Sequence, residues 1–178
     1  MALLLALVLP FSSTAQPRDL TVTAKQRDNR PLAGAVITVE AESSAQPPAA
    51  PVHAVMDQVN LGFVPDVLVI PVHSTVQFPN SDAVSHQVYS FSSAKIFQLP
   101  LYRGKPYPPV VFDRPGVVTL GCNIHDNMLA YIMVTPAAHF GRTDAHGLWK
   151  ANDLPARRYR VKVWHALINE LTPIESVI

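Results

Sequence analysis

The sequence predicts an all-β protein built around a β-sandwich, and three observations lead there. Short runs of β-branched and aromatic residues alternate with polar ones, the period of a half-buried strand. The punctuation is stiff, with 17 prolines against 7 glycines. Between residues 52 and 136 no amphipathic pattern is sustained for the roughly ten residues that a helix needs. Hydrophobic residues make up 48% of the 178-residue chain and charged residues 15%, which places it among globular rather than disordered sequences and allows one good core or a core with a small satellite.

Taken in order, residues 2–9 form an apolar run ended by Pro10 and followed by Ser13, Thr14 and Ala15. The run is too short to span a bilayer but has the length of a signal-peptide core, so residues 1–15 are expected to be an export signal cleaved after Ala15, although the usual basic start is missing. No stable membrane span is expected. Residues 16–42 hold the first strands of a flanking β domain. There, alternation over 20–24 and 32–40, around a turn containing Asn29 and Pro31, reads as a β-hairpin. Residues 43–51, rich in Ser, Ala and Pro, are a linker.

Residues 52–136 carry the main sheet signal. Strands are expected over 63–71, interrupted by Pro65, and over 74–80. The Pro79-Asn80-Ser81-Asp82 break follows, and alternation resumes from His86 to Phe91, with His86, Val88 and Ser90 on one face. Further strands fall at 95–101, 110–112, 117–120 and 129–134. Alternation returns at 159–163, so 139–168 supply the remaining flanking strands, and 169–178 form a tail without an assigned role.

Chemistry concentrates in Gly121-Cys122-Asn123-Ile124-His125-Asp126-Asn127-Met128. Cys122 is the only cysteine, so no disulfide partner exists within the chain. A thiolate, an imidazole and a thioether at Cys122, His125 and Met128, joined by one further histidine, describe a trigonal His₂Cys copper set with a long axial Met. The chain from His86 to Cys122 is long enough to run out and back along a sandwich, which returns it to the same end and makes His86 the second imidazole. His73 falls in a turn at the far end, His53 in the linker, and His139, His146 and His165 beyond the sandwich. Asn80, a turn former ahead of His86, is also a candidate donor to the Cys122 sulfur through its backbone or side chain.

These residues resemble the cupredoxins. The segments around Phe63, Val69, Phe78, Asn80 and His86, the Phe112-Asp113-Arg114-Pro115-Gly116 turn and the Cys122–Met128 loop look like that family, and the loop is similar to that of amicyanin. The stretches at 56–60, 86–92 and 121–126 look closer still to bacterial plastocyanin-like proteins labelled methylamine utilization proteins. Gly141 to Trp149, Asp153-Leu154-Pro155 and Tyr159 to Trp164 resemble a carboxypeptidase-regulatory-like, transthyretin-type domain, with Arg30 to Val36 similar to its opening hairpin. The resemblance implies a Greek-key sandwich and a periplasmic protein with one mononuclear type 1 copper held by His86, Cys122, His125 and Met128.

The expected activity is single-electron transfer with a redox partner such as a c-type cytochrome or a dehydrogenase, by a monomer that is not an enzyme. His125, in the loop, is the expected electron port, with Leu99, Pro100, Leu129 and Pro136 as an apolar rim. A net charge of +1 without a basic run argues against nucleic acid. A Cys–His hydrolase would leave Met128 without a role. Structural zinc would favour more thiolates or histidines. The third alternative is a flanking domain that binds an envelope component.

Overall fold

The computed structural model describes residues 17–42, 46–104, 106–167 and 174–177, and every regular element among them is a strand. The expected signal at 1–15 lies outside the described residues. In chain order the strands are β1 (Arg18–Thr23), β2 (Val36–Ala41), β3 (His53–Val55), β4 (Asp57–Val59), β5 (Gly62–Val64), β6 (Val67–Pro71), β7 (Ser74–Gln77) and β8 (His86–Ser92). There follow β9 (Lys95–Tyr102), β10 (Val110–Phe112), β11 (Gly116–Gly121), β12 (Leu129–Thr135), β13 (His139–Arg142), β14 (Leu148–Leu154), β15 (Tyr159–Trp164) and β16 (Ile174–Val177).

Four layers result. A five-stranded sheet in the order β6-β12-β11-β8-β9 faces a three-stranded sheet, β10-β7-β3, together with the β4-β5 hairpin. Between them lies the largest core. Val76, Phe78, Phe112 and Met56 meet Val88, Val118, Leu120 and Ile132 there, all essentially removed from water. The other face of the five-stranded sheet is covered by a four-stranded sheet, β13-β2-β15-β16, which in turn packs on the β1-β14 pair.

Strand β12 shows how the sequence dictates this stacking. Its period of two sends Ala130, Ile132 and Val134 into the sandwich core and Tyr131 and Met133 into a second core with Val36, Val67, Val117 and Trp164. A strand buried on both faces has to read as a nearly continuous apolar run, and Leu129 to Val134 does. Tyr131 and Trp164 meet edge to face, with ring centroids 5.1 Å apart.

The expected hairpin of the first strands does not form. β1 pairs with β14, whereas β2 lies between β13 and β15; only a Lys25–Pro31 bridge closes the intervening turn. Leu20 and Val22 of β1 face Ile37 and Val39 of β2 across a shared core, so these strands bury apolar faces against each other instead of exchanging backbone hydrogen bonds. Gly34, at φ 75°, turns the chain between the sheets. His53, expected in the linker, instead opens β3 and shares a hydrogen bond with Thr75 Oγ1 through Nδ1. Part of the tail is also structured, since β16 adds an antiparallel edge to β15.

Trp164 is 2% exposed and is the largest side chain between the inner and outer layers. Trp164→Ala should lower unfolding free energy by about 3–5 kcal/mol in equilibrium denaturation. A loss below about 1 kcal/mol would mean that the outer layers add little to the sandwich.

Candidate metal centre

Neighbouring strands bring the donors together. β8 and β11 are antiparallel neighbours, with Tyr89 opposite Gly121, so the first residue of β8, His86, lies beside the end of β11 where Cys122 follows. The chain then makes a short loop before β12, closed by the Met128 N–H donating to the His125 carbonyl at 3.0 Å. That loop folds His125 back over the sulfur. His86 Nδ1 and His125 Nδ1 are 3.0 Å apart, Cys122 Sγ and His125 Nδ1 are 3.8 Å apart, and the three donor atoms all lie within 4.8 Å of one another.

These separations fit a shared metal ion. With a metal–sulfur bond of about 2.3 Å and metal–nitrogen bonds of about 2.0–2.1 Å, donors at trigonal angles stand roughly 3.5–3.8 Å apart. The Cys122–His125 distance matches, the two imidazole nitrogens at 3.0 Å sit closer than that, and the set as a whole spans up to 4.8 Å, so modest side-chain shifts would seat an ion. Among the described residues this is the one cluster of three metal-capable His, Cys, Asp or Glu side chains that the fold assembles. His86 is fully buried, Cys122 is buried, and His125 is half-buried. Met128 is buried at the end of the same hydrophobic core that contains Cys122.

Around the donors the strand ends supply polar support. The backbone N–H of Gln87 donates to Cys122 Sγ at 3.5 Å, the sort of contact that stabilises charge on a thiolate. Asn80 reaches the centre by another route. Both hydrogens of its side-chain amide go to backbone carbonyls, Val84 at 3.0 Å and Tyr102 at 2.9 Å, and its Oδ1 accepts the Asp82 N–H at 3.0 Å. Its side chain therefore braces the loop that precedes His86.

Sequence reasoning passed over Asp82. Its Oδ2 lies 2.9 Å from His86 Nε2 and accepts the Leu61 N–H at 2.8 Å. The Leu61 N–H, followed by the His86 side chain, holds this carboxyl below the usual aspartate range. The signal was present as a carboxylate four positions before a histidine inside a turn. Nearby, burial pushes the Tyr102 hydroxyl up to about 12. That hydroxyl donates to the Phe78 carbonyl and accepts from Gln58 Nε2.

The remaining histidines stand apart from this cluster. His73 occupies the turn after β6, at the far end of the sheet, because β6 runs parallel to β12 and Pro71 pairs with Thr135. His139 bonds to Gln46, and His165 accepts the Leu167 N–H. Of the expected rim, Leu129 is 52% exposed beside the loop and Pro100 is exposed on β9; Ile124, which was not among the expected rim residues, is 54% exposed within the loop. Leu99 packs against the core, and Pro136 follows the opposite end of β12, where it lines a cavity with Trp164.

No protein-family model and no curated protein sequence matches the chain. Among the solved structures it resembles are several copper proteins. A purple cupredoxin from Nitrosopumilus maritimus is 25% identical over 46% of this chain and 99% of that one, with a TM-score of 0.42. A copper-containing nitrite reductase from Thermus scotoductus is 26% identical over 54% of this chain and 25% of that one, at 0.44. A Cu(I) form of an amicyanin variant is 21% identical over 56% of this chain and 98% of that one, at 0.43.

Cys122 is 4% exposed and free of any disulfide. In the native metal-free protein a thiol-specific reagent should therefore label it at least tenfold more slowly than in denaturant, about the protection expected if labelling needs local opening. Immediate stoichiometric labelling of the folded protein would contradict the burial.

Proposed function

We propose that this protein is a type 1 (blue) copper protein that carries single electrons between redox partners. The observation that supports the reading is the donor set itself: one thiol and two imidazole nitrogens within 4.8 Å of one another, with no carboxylate oxygen among them. Such a mixed soft and nitrogen set selects copper over the oxygen-seeking divalent ions. Copper held there supplies one-electron chemistry, since sulfur suits its reduced state and nitrogen its oxidised state. His86, Cys122 and His125 are the residues that would hold the ion, with Met128 as a proposed weak fourth ligand.

What the chain contributes is constancy of position. His86 is fixed by β8, Cys122 by the end of β11 and its Gln87 hydrogen bond, and His125 by the loop closed at Met128. Donors held by packed strands move little when charge changes. With Met128 as the fourth ligand, no coordination position would be left open for a substrate, which favours a carrier over an enzyme. His125 turns Nδ1 toward the sulfur while remaining half-buried, and Ile124 and Leu129, close to it in the sequence, are exposed. This apolar rim suits a small, transient contact with a c-type cytochrome or a dehydrogenase.

The proposed unit for this chemistry is residues 52–136, flanked by a β domain made from 16–42 and 139–168. Location in the periplasm rests on the apolar segment at 2–9. Among the described residues no helix is long and apolar enough to cross a membrane. The carrier is proposed to act as a monomer.

Adding cupric ion to the metal-free protein should produce an intense visible thiolate-to-copper band at one equivalent, and Cys122→Ser should abolish it. Tight zinc binding with no such band would instead favour a structural metal. In a protein that shows the band, His125→Ala should open a coordination position and slow electron exchange with a cytochrome partner by about tenfold or more, the scale of losing a positioned contact. An unchanged exchange rate would remove His125 as the port.

A further inference from the structure

His86 is fully buried and both of its ring nitrogens are engaged, Nδ1 toward His125 and Nε2 on Asp82. A carboxylate behind a metal-facing imidazole holds the ring proton on the far nitrogen, fixes the ring plane and raises the basicity of the nitrogen that faces the metal. Asp82 is built to stay in that place. Its side chain is only 14% exposed, Oδ2 accepts the Leu61 N–H as well as facing Nε2, and Oδ1 accepts the Ala83 N–H at 3.1 Å. Its own N–H is held by Asn80 Oδ1. Next to it, Ser81 is held through both its N–H and its hydroxyl by the Asp57 carboxylate of β4.

The Leu61 contact adds a second reason to read this as a built arrangement. Asn60 and Leu61 form the two-residue tip of the β4-β5 hairpin, with φ values of 52° and 60°. Leucine in that region carries a steric cost. The conformation aims the Leu61 N–H at the same carboxylate oxygen that faces His86.

We infer that Asp82 is a positioning residue of the metal centre: its carboxylate sets His86 as the Nε2–H tautomer, directs Nδ1 at the metal, and through its negative charge favours the oxidised over the reduced metal. The inference rests on the copper reading for its redox part alone. The tautomer belongs to the metal-free protein. The charge effect follows from Coulomb attraction, which is greater for the more highly charged ion.

The test compares the full chain with Asp82→Asn and Asp82→Ala. In metal-free wild type, ¹⁵N NMR of the imidazoles should show His86 protonated at Nε2. Asp82→Asn keeps an acceptor oxygen, so it should retain the tautomer and the fold. It should nevertheless bind Cu(II) about tenfold more weakly relative to Cu(I), which raises the midpoint potential by about 59 mV. Asp82→Ala loses the acceptor and should bind Cu(II) about 10–100-fold more weakly than wild type. An Nδ1–H tautomer in metal-free wild type, or a wild-type potential in Asp82→Asn, overturns the inference. A wild type without the thiolate–copper band refutes the copper reading instead, and the tautomer measurement then decides the positioning role alone.

Discussion

A buried imidazole with a commitment at each nitrogen is the constraint from which the rest of the site follows. His86 has no contact with water, so both ring nitrogens need partners inside the protein. Asp82 satisfies one, and the other is turned to the space it shares with His125 and Cys122. To place a carboxylate there, the chain must leave the β7 direction at Pro79, brace itself through Asn80 and Asp57, and re-enter the sheet at His86 as the first residue of β8. The strand break between β7 and β8 is thus as much a part of the site as the donor loop.

Most of the sandwich was legible because its longer strands report their own burial through their period, whereas β3 and β4, three residues each, are too short to show one and β5 and β6 ran together as a single expected strand. The lone cysteine was legible because nothing else in the chain could serve it as a covalent partner. Choosing His86 among seven histidines required only the rule that strands out and back return to one end. The failures have a common cause. Alternation tells which face of a strand is buried, but not whether two alternating strands pair side by side or face each other across a core, and β1 and β2 do the latter. For the same reason β16, a short segment beyond a proline, carried no sign of joining an edge. Asp82 escaped because a turn containing Asn80, Ser81 and Asp82 is explained by turn formation alone. Its second engagement depends on where His86 points, which is a tertiary fact.

The outer layers bear on the centre through the five-stranded sheet. β11 and β12 flank the donor loop, and both have one face on the sandwich core and the other on the Val36–Trp164 cluster. Fully packed strands of this kind resist displacement, since interiors have few voids into which a shifted side chain could move. The same sheet is dressed differently at β8 and β9. Phe91 and Ile96, paired across those strands, are 73% and 69% exposed, so the stiffening is confined to the strands that carry Cys122 and lead away from Met128.

The covering of β11 and β12 would suit the mixed donor set of the proposed carrier. In such a carrier one metal geometry would have to serve two oxidation states, so the protein would have to resist the relaxation that each state would choose in water. A cysteine on a loop free to breathe would let the ion select its own angles. Here Gly121 is packed so tightly against the Tyr89 ring that a Cβ there would come within 2.7 Å of it, which pins the backbone beside Cys122 to β8. His86 starts that same strand with its own side chain fully buried, so sulfur and imidazole are referenced to one strand pair, and only His125 depends on the loop. The donor with the most freedom is therefore the one at the surface, where a partner would meet it, and the two with the least are those that must not move.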